Sequence, residues 1–330
     1  MNVIFKRIML LLLSVATAIL FSSVNYLNSI DPLPSWKEGM NKKAILGFVE
    51  KVTREGSNDY IETENRIAVF DNDGTLWPEQ PLIEGVFLLK TVKAMIAKDP
   101  SLKTKEPFKA VIEKDTAFFE LNNHKGIMEL ALAAYGNKTE GTFEKDITTF
   151  LQKEKHPRFN VPFTSLGYQP MLELLAFLRD KGFETWICSG GNAEFIRAFS
   201  DDIYGVPVQQ VIGSKLKLEF KKVDGKHVLW RDTVMQSFND KEEKPVNISY
   251  HIGKVPVFVA GNEKSGGDIA MLTYSDERKG ASFQLLINHN DAVREFSYQE
   301  KDNASLQAAA ANGWNVISIK DDWKIVFKNK

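Results

Sequence analysis

Cysteine is almost missing from this chain: its 330 residues include one, Cys188. No internal disulfide can form, so the fold must be held by its core. The five histidines, at positions 124, 156, 227, 251 and 289, are scattered without metal-ligand spacing, and zinc is not expected. An excess of either charge is missing too. The formal net charge is -1 and no large basic block occurs, which argues against a DNA or RNA partner. No internal repeat or low-complexity tract is present. Nor is there an apolar run long enough for an easy membrane span, since the stretch Ile8 to Phe21 holds only about fourteen apolar or small residues.

That short run has a definite setting. Lys6 and Arg7 precede it, and Ser22, Ser23 and Asn25 follow. A charged start, an apolar middle and a polar end are the layout of a secretory signal, with Ala16-Thr17-Ala18 offering a small-residue cleavage pattern. Residues 1–30 are therefore expected to be a signal peptide or, if uncleaved, an N-terminal anchor. The protein is expected to be exported, into a periplasm, and to touch a membrane only if the segment stays attached. No cysteine follows the run at a lipidation position, which excludes attachment of the bacterial lipoprotein type. The whole chain, 43% hydrophobic and 26% charged, has the composition of an ordinary globular protein, ample for a core in one or two domains.

The chemistry-bearing feature is Asp71-Asn72-Asp73-Gly74-Thr75, directly after the apolar run Ile67-Ala68-Val69-Phe70. Such a run predicts a strand covered on both faces, and parallel sheets place ligands beyond their carboxyl edges. Residues two apart in extended chain point the same way, so Asp71 and Asp73 are expected to face one small volume. Two carboxylates that close repel unless one holds a proton or a cation sits beside them. A magnesium ion would resolve the conflict with hard oxygen ligands, phosphate oxygens among them. Gly74 lets the backbone turn there.

Three further segments follow in order. Thr185 to Gly191 is an apolar strand ending in Ser189, whose hydroxyl could bind a phosphate oxygen, and Gly190, whose amide could do the same. Lys244 is a cation ahead of an expected helix. Val255 to Ala260 is another buried strand, followed by a loop that carries Asn262 and Asp268. Cys188, inside the second strand, reads as a small core residue rather than a nucleophile.

In these four ordered motifs the chain resembles the haloacid dehalogenase superfamily of hydrolases, and within it the phosphoserine-phosphatase-like branch. The resemblance runs from about Trp36 to the C-terminus and includes a His-Pro-Arg-Phe segment at His156 to Phe159. It implies an α/β fold, a Rossmann-like parallel sheet with an inserted helical cap, and phosphomonoester hydrolysis through an aspartyl-phosphate. Asp71 would be the nucleophile and Asp73 the general acid and later base. Ser189 and Gly190 would hold phosphate, and Lys244 would neutralise charge. Magnesium would be held by the Asp71 carboxylate, the Asp73 carbonyl and an acid of the last motif. Because Asn262 stands where many relatives have an acid, and the loop is longer by two, Asp268 is expected as the carboxylate ligand and Asn262 as a secondary contact.

The expected layout places the core at 31–78 and 167–330 and the cap at 79–166. Helices are expected at Trp36 to Lys51, Gly85 to Ala97, Phe108 to Phe119, Gly126 to Tyr135 and Gln169 to Lys181. Later strands are expected at Glu184 to Cys188, Val208 to Gly213, Pro256 to Ala260, Ser282 to Ile287 and near Val316 to Ile319. Residues 214 to 231 suggest a peripheral hairpin turning at Asp224-Gly225. The substrate is expected to be a small phosphorylated metabolite, with Trp77, Glu79, Arg158 and Arg197 as candidate readers of the leaving group and Arg158 foremost. Two other readings of the same residues are a phosphotransferase and a non-catalytic phosphate-binding protein. Oligomeric state is not legible.

Overall fold

The computed structural model describes residues 31–120, 125–264 and 266–328; the expected signal segment, residues 1–30, lies outside them. Eight strands form one sheet in the order β2-β5-β4-β3-β1-β6-β7-β8. They are β1 (Ile67–Phe70), β2 (Lys138–Thr139), β3 (Glu184–Asn192), β4 (Val211–Val223), β5 (Lys226–Ser237), β6 (Phe258–Asn262), β7 (Phe283–Asn288) and β8 (Asn315–Ser318). Pairing is parallel from β4 through β8, and antiparallel where β5 meets β4 and β2.

The central strand shows why the fold is layered. All four residues of β1 are buried, but Ala68 and Phe70 join one apolar cluster while Ile67 and Val69 join another. Alternate side chains point to opposite faces, so both faces of this strand are covered. The same division runs through β6, with Phe258 and Ala260 on one side and Val259 on the other. Helix Gln169–Asp180 covers the first face through Met171, Leu174, Leu175 and Leu178, a helical spacing that presents one apolar stripe. Helix Glu243–Ile252 covers the second through Ile248.

Between β1 and β3 the described residues form the helices Ile83–Lys98, Phe108–Glu113, Thr116–Glu120, Lys125–Tyr135 and Glu140–Lys153, with the two-residue edge strand β2 between the last two, before the helix Gln169–Asp180 leads back to the core. The single helix expected over Phe108 to Phe119 is two, because Lys114 adopts a left-handed backbone (φ 57°) and the Asp115 side chain caps Phe118 N–H. The expected first helix begins later, at Met40.

The hairpin differs more. Val208 to Gly213 and the segment after it were expected as separate pieces, but β4 is one continuous strand, parallel to β3 at its start and antiparallel to β5 further on. Asp224 and Gly225, both with positive φ, make the two-residue turn. The hairpin's base is not peripheral. Arg231 on β5 is fully buried, bonding Tyr135 O and Glu140 Oε2 at 2.8 Å each and lying 3.9 Å from the Phe143 ring centroid. It ties the hairpin to the inserted helices. Among the described residues, no helix is long and apolar enough to cross a membrane.

Candidate active site

β1 lies between β3 and β6, and the chain reaches those neighbours by crossovers in opposite directions along the sheet. The carboxyl end of β1 is therefore a topological switch point, where such sheets open a crevice. Asp71 begins there, its N–H bonded to Ala260 O of β6 at 2.9 Å.

Lys244 meets Asp71 from the other side. It stands in the first turn of its helix, 2% exposed, with Nζ 2.7 Å from Asp71 Oδ1 and 2.5 Å from Asp268 Oδ1. Burial opposes the charge on Lys244, but Asp268 and Asp71 together raise its pKa above the ordinary lysine value. Burial and the nearby Asp268 push the Asp71 carboxyl well above its usual range, against the pull of Lys244.

Asp73 has a different environment. Its Oδ1 accepts a 2.8 Å hydrogen bond from Trp77 Nε1, and Trp77 is locked by stacking on Phe199 at 4.4 Å between ring centroids. Burial raises the Asp73 pKa, so the group is suited to carrying a proton. Its other oxygen faces Gly191. A side chain at Gly191 would come within 2.8 Å of Glu84 Oε2, 3.4 Å of Ser189 Oγ and 3.7 Å of Asp73 Oδ2. The missing side chain keeps open a small space where three oxygens from three segments converge. Ser189 Oγ accepts from Gly191 N–H at 3.1 Å, and Asn239 holds the Ser189 carbonyl at 2.8 Å. The Gly190 carbonyl accepts from Ser214 Oγ.

Asp71, Asp73, Ser189, Gly190, Lys244, Asn262 and Asp268 thus lie around one sheet edge, but the last two differ from expectation. Both oxygens of Asp268 are engaged, one by Lys244 and the other by Asn262 N–H at 2.9 Å. Asn262, instead, sends its Nδ2 to the Asp73 carbonyl at 3.0 Å and to Glu79 Oε1 at 2.9 Å. The longer loop carries Asp268 back beneath the start of its own turn, which leaves Asn262 as the side chain beside the carbonyl.

Arg158 also requires correction. Its guanidinium donates to the backbone carbonyls of Glu295, Ala292 and Val293 and lies over the Phe296 ring at 4.5 Å. With its donors held by main chain, it anchors the 292–295 segment rather than reading a leaving group. Arg197 is similarly bound to Val208 O and Val211 O. Cys188 is buried, and burial pushes its thiol up to about 12, as suits a core residue.

Two site residues were not singled out by sequence. His289, fully buried, lies 2.8 Å through Nε2 from the Gly74 carbonyl and is oriented by Glu295 at 3.2 Å. Glu84 enters from the first inserted helix, its Oε2 accepting from Asn192 N–H at 2.8 Å. The usable signals were an acid inside the otherwise apolar Leu82-Ile83-Glu84-Gly85-Val86-Phe87, and a histidine just past a buried strand end.

Burial raises the Glu84 pKa from 4.5 to about 7. The folded chain therefore holds this proton more tightly than the unfolded chain does. The stability it contributes is present below pH 4.5 and lost as pH rises through about 7. Gln at this position keeps an oxygen for Asn192 N–H but does not titrate. Melting temperatures of the metal-free protein at pH 5 and pH 8 should accordingly differ more for wild type than for Glu84→Gln; equal differences would refute the assignment.

Among the described residues no three His, Cys, Asp or Glu side chains gather into a ready-made metal cage. The oxygen groups at this edge are instead mixed: the Asp71 carboxylate, the Asp73 carbonyl and the Asn262 amide. Hard oxygens with few carboxylates suit magnesium, which keeps several waters and takes phosphate oxygens.

With this geometry, the family comparison is direct. The model for haloacid dehalogenase-like hydrolases matches residues 68–248, more than half of the chain and the span from β1 to the Lys244 helix. The chain belongs to the haloacid dehalogenase-like hydrolases. A search of curated protein sequences finds no match. Among solved structures, this hydrolase is similar to a conserved functionally unknown protein from Anaerococcus prevotii DSM 20548, with 16% identity over 84% of this chain and 91% of that one and a TM-score of 0.53. It is also matched by a phosphoserine phosphohydrolase-like protein from Francisella tularensis subsp. tularensis SCHU S4, with 18% identity, 74% and 99% coverage and a TM-score of 0.38. At these identities, the first likeness extends the hydrolase's fold assignment across most of the chain.

Proposed function

We propose that this hydrolase is a magnesium-dependent phosphatase acting on small phosphomonoesters through an aspartyl-phosphate. The observation that carries the reading is the pairing of two unlike carboxylates at one strand end. Asp71 is held by the Lys244 ammonium group at 2.7 Å and Asp73 by the Trp77 indole N–H at 2.8 Å, so the two carboxyls meet different partners.

In the first step a carboxylate oxygen of Asp71 attacks phosphorus as the bond to the leaving oxygen breaks, and Asp73 transfers its proton to that oxygen. In the second, water attacks the aspartyl-phosphate, Asp73 takes a proton from the water, and phosphate departs from Asp71. Lys244 holds the Asp71 carboxylate in place and offsets charge on the transferring group. The Ser189 hydroxyl is positioned to donate to a phosphate oxygen. The site suits magnesium held by Asp71, the Asp73 carbonyl and Asn262, where the ion when bound would offset negative charge on the phosphate. A dehalogenase has no leaving alkoxide to protonate, so the placement of Asp73 favours a phosphatase.

The Lys6-Arg7 start and apolar run to Phe21 support export, and an exported site favours scavenging of phosphate from several esters over one biosynthetic metabolite. Phosphate release from a panel of small phosphomonoesters, with magnesium and with chelator, tests the reading. Magnesium-dependent release from several esters is expected. No release from any of them by folded protein would overturn it.

A further inference from the structure

The magnesium site as described leaves one buried acid without a role. Glu79 follows the Asp71 loop and is 6% exposed. Its Oε1 and the Asp73 carbonyl, from separate positions on the loop, converge on a single donor, Asn262 Nδ2, at 2.9 and 3.0 Å. Gly74 makes the convergence possible. A side chain there would come within 1.8 Å of that nitrogen and 2.9 Å of Glu79 Oε1, and its φ of +77° also favours glycine.

Positive charge is short around this point. Lys244 is shared between Asp71 and Asp268, and no ion pair to Asp73 forms among the described residues. Among the described residues Glu79 forms one ion pair, with Lys264, 3.3 Å from Oε2 and 37% exposed, a partner weakened by solvent, and the Tyr298 hydroxyl beside it brings no charge. A buried carboxylate so weakly paired is costly unless a cation completes it. Two oxygens aimed at one amide hydrogen-bond donor, with one of them a carboxylate, describe a point that a hard divalent cation can occupy. Half a turn of the Asn262 amide would present Oδ1 there in place of Nδ2.

We propose that Glu79 is a ligand of the divalent-cation site and supplies the negative charge that Asn262 does not bring. The inference rests on the magnesium-dependent reading above. It differs from a positioning role, in which Glu79 merely accepts a hydrogen bond from Asn262, because a neutral acceptor would serve that purpose equally well.

Isothermal titration of the purified full chain with magnesium chloride, without substrate, separates the two. Glu79→Gln keeps an oxygen for Asn262 Nδ2 and removes the charge; magnesium affinity should fall about tenfold or more. Adding Asn262→Asp to that variant should restore most of the loss, since the charge returns to the same point. Lys264→Met, at a partly exposed position, should tighten magnesium binding several-fold by freeing Glu79, and it gives an independent answer if Glu79→Gln does not fold. Wild-type affinity in Glu79→Gln, or unchanged affinity in Lys264→Met, would overturn the role of Glu79 while leaving the phosphatase reading intact. No magnesium uptake by wild type would overturn the metal reading and this inference with it.

Discussion

Asp71→Asn is expected to abolish phosphomonoester turnover while leaving the fold and its melting temperature close to wild type. Asn has nearly the same shape, and its Oδ1 can still accept from Lys244 Nζ, now 2.7 Å from Asp71 Oδ1. What it lacks is a carboxylate able to form a bond to phosphorus. Loss of a nucleophile in a site that works as a unit lowers kcat by roughly 10⁴-fold or more. Stability should change little, because burial already acts against a charge at this position. The measurement is kcat with the best ester of the panel, beside a thermal melt. Turnover within tenfold of wild type would remove Asp71 from the mechanism, and with it the aspartyl-phosphate.

Lys244→Met should be damaging in two separable ways. The ammonium group lies between Asp71 and Asp268, all three buried, so its removal leaves two carboxylates facing each other without a cation. Breaking a buried ion pair by deleting one partner costs about 3–5 kcal/mol, because the remaining charge is uncompensated. Turnover should be lost as well, since nothing then offsets charge on the nucleophile. Adding Asp268→Asn relieves the repulsion and should return much of the stability without returning activity. Urea unfolding and phosphate release on the single and double variants check both parts. Recovery of turnover in the double variant would make the role of Lys244 purely structural.

The legible part of the site was the part that rests on local geometry. An apolar run of four residues followed by Asp-Asn-Asp-Gly-Thr announces a buried strand and a turn, and both acids lie on that one loop. Ser189 and Lys244 were legible for a related reason, since the apolar pattern outlines the strand whose last residues include Ser189 and the helix whose first turn holds Lys244. Asn262 and Asp268 are both legible as members of the last motif, but not which of them stands beside the Asp73 carbonyl, a place the fold gives to Asn262. Spacing says that a loop has lengthened; it does not say that the added residues fold Asp268 back onto Asn262 N–H. Arg158 was misjudged because an arginine near an expected active site looks alike whether its partners are phosphate oxygens or the main-chain carbonyls it meets here. Glu84 and His289 passed unnoticed because their partners, Asn192 N–H and Gly74 O, lie over a hundred positions away along the chain.

By itself the sequence determined the layered α/β class, the strand that leads into Asp71, the order of the four motifs and the helical character of the inserted segment. These follow from periodicity and turn chemistry, which act over a few residues. The tertiary structure alone decided the charge balance of the site: that Lys244 is shared by two acids, that Glu79 and the Asp73 carbonyl meet at Asn262, and that Arg231 ties the hairpin to the inserted helices. Such pairings are set by how distant segments pack, and burial then decides which charges can persist there.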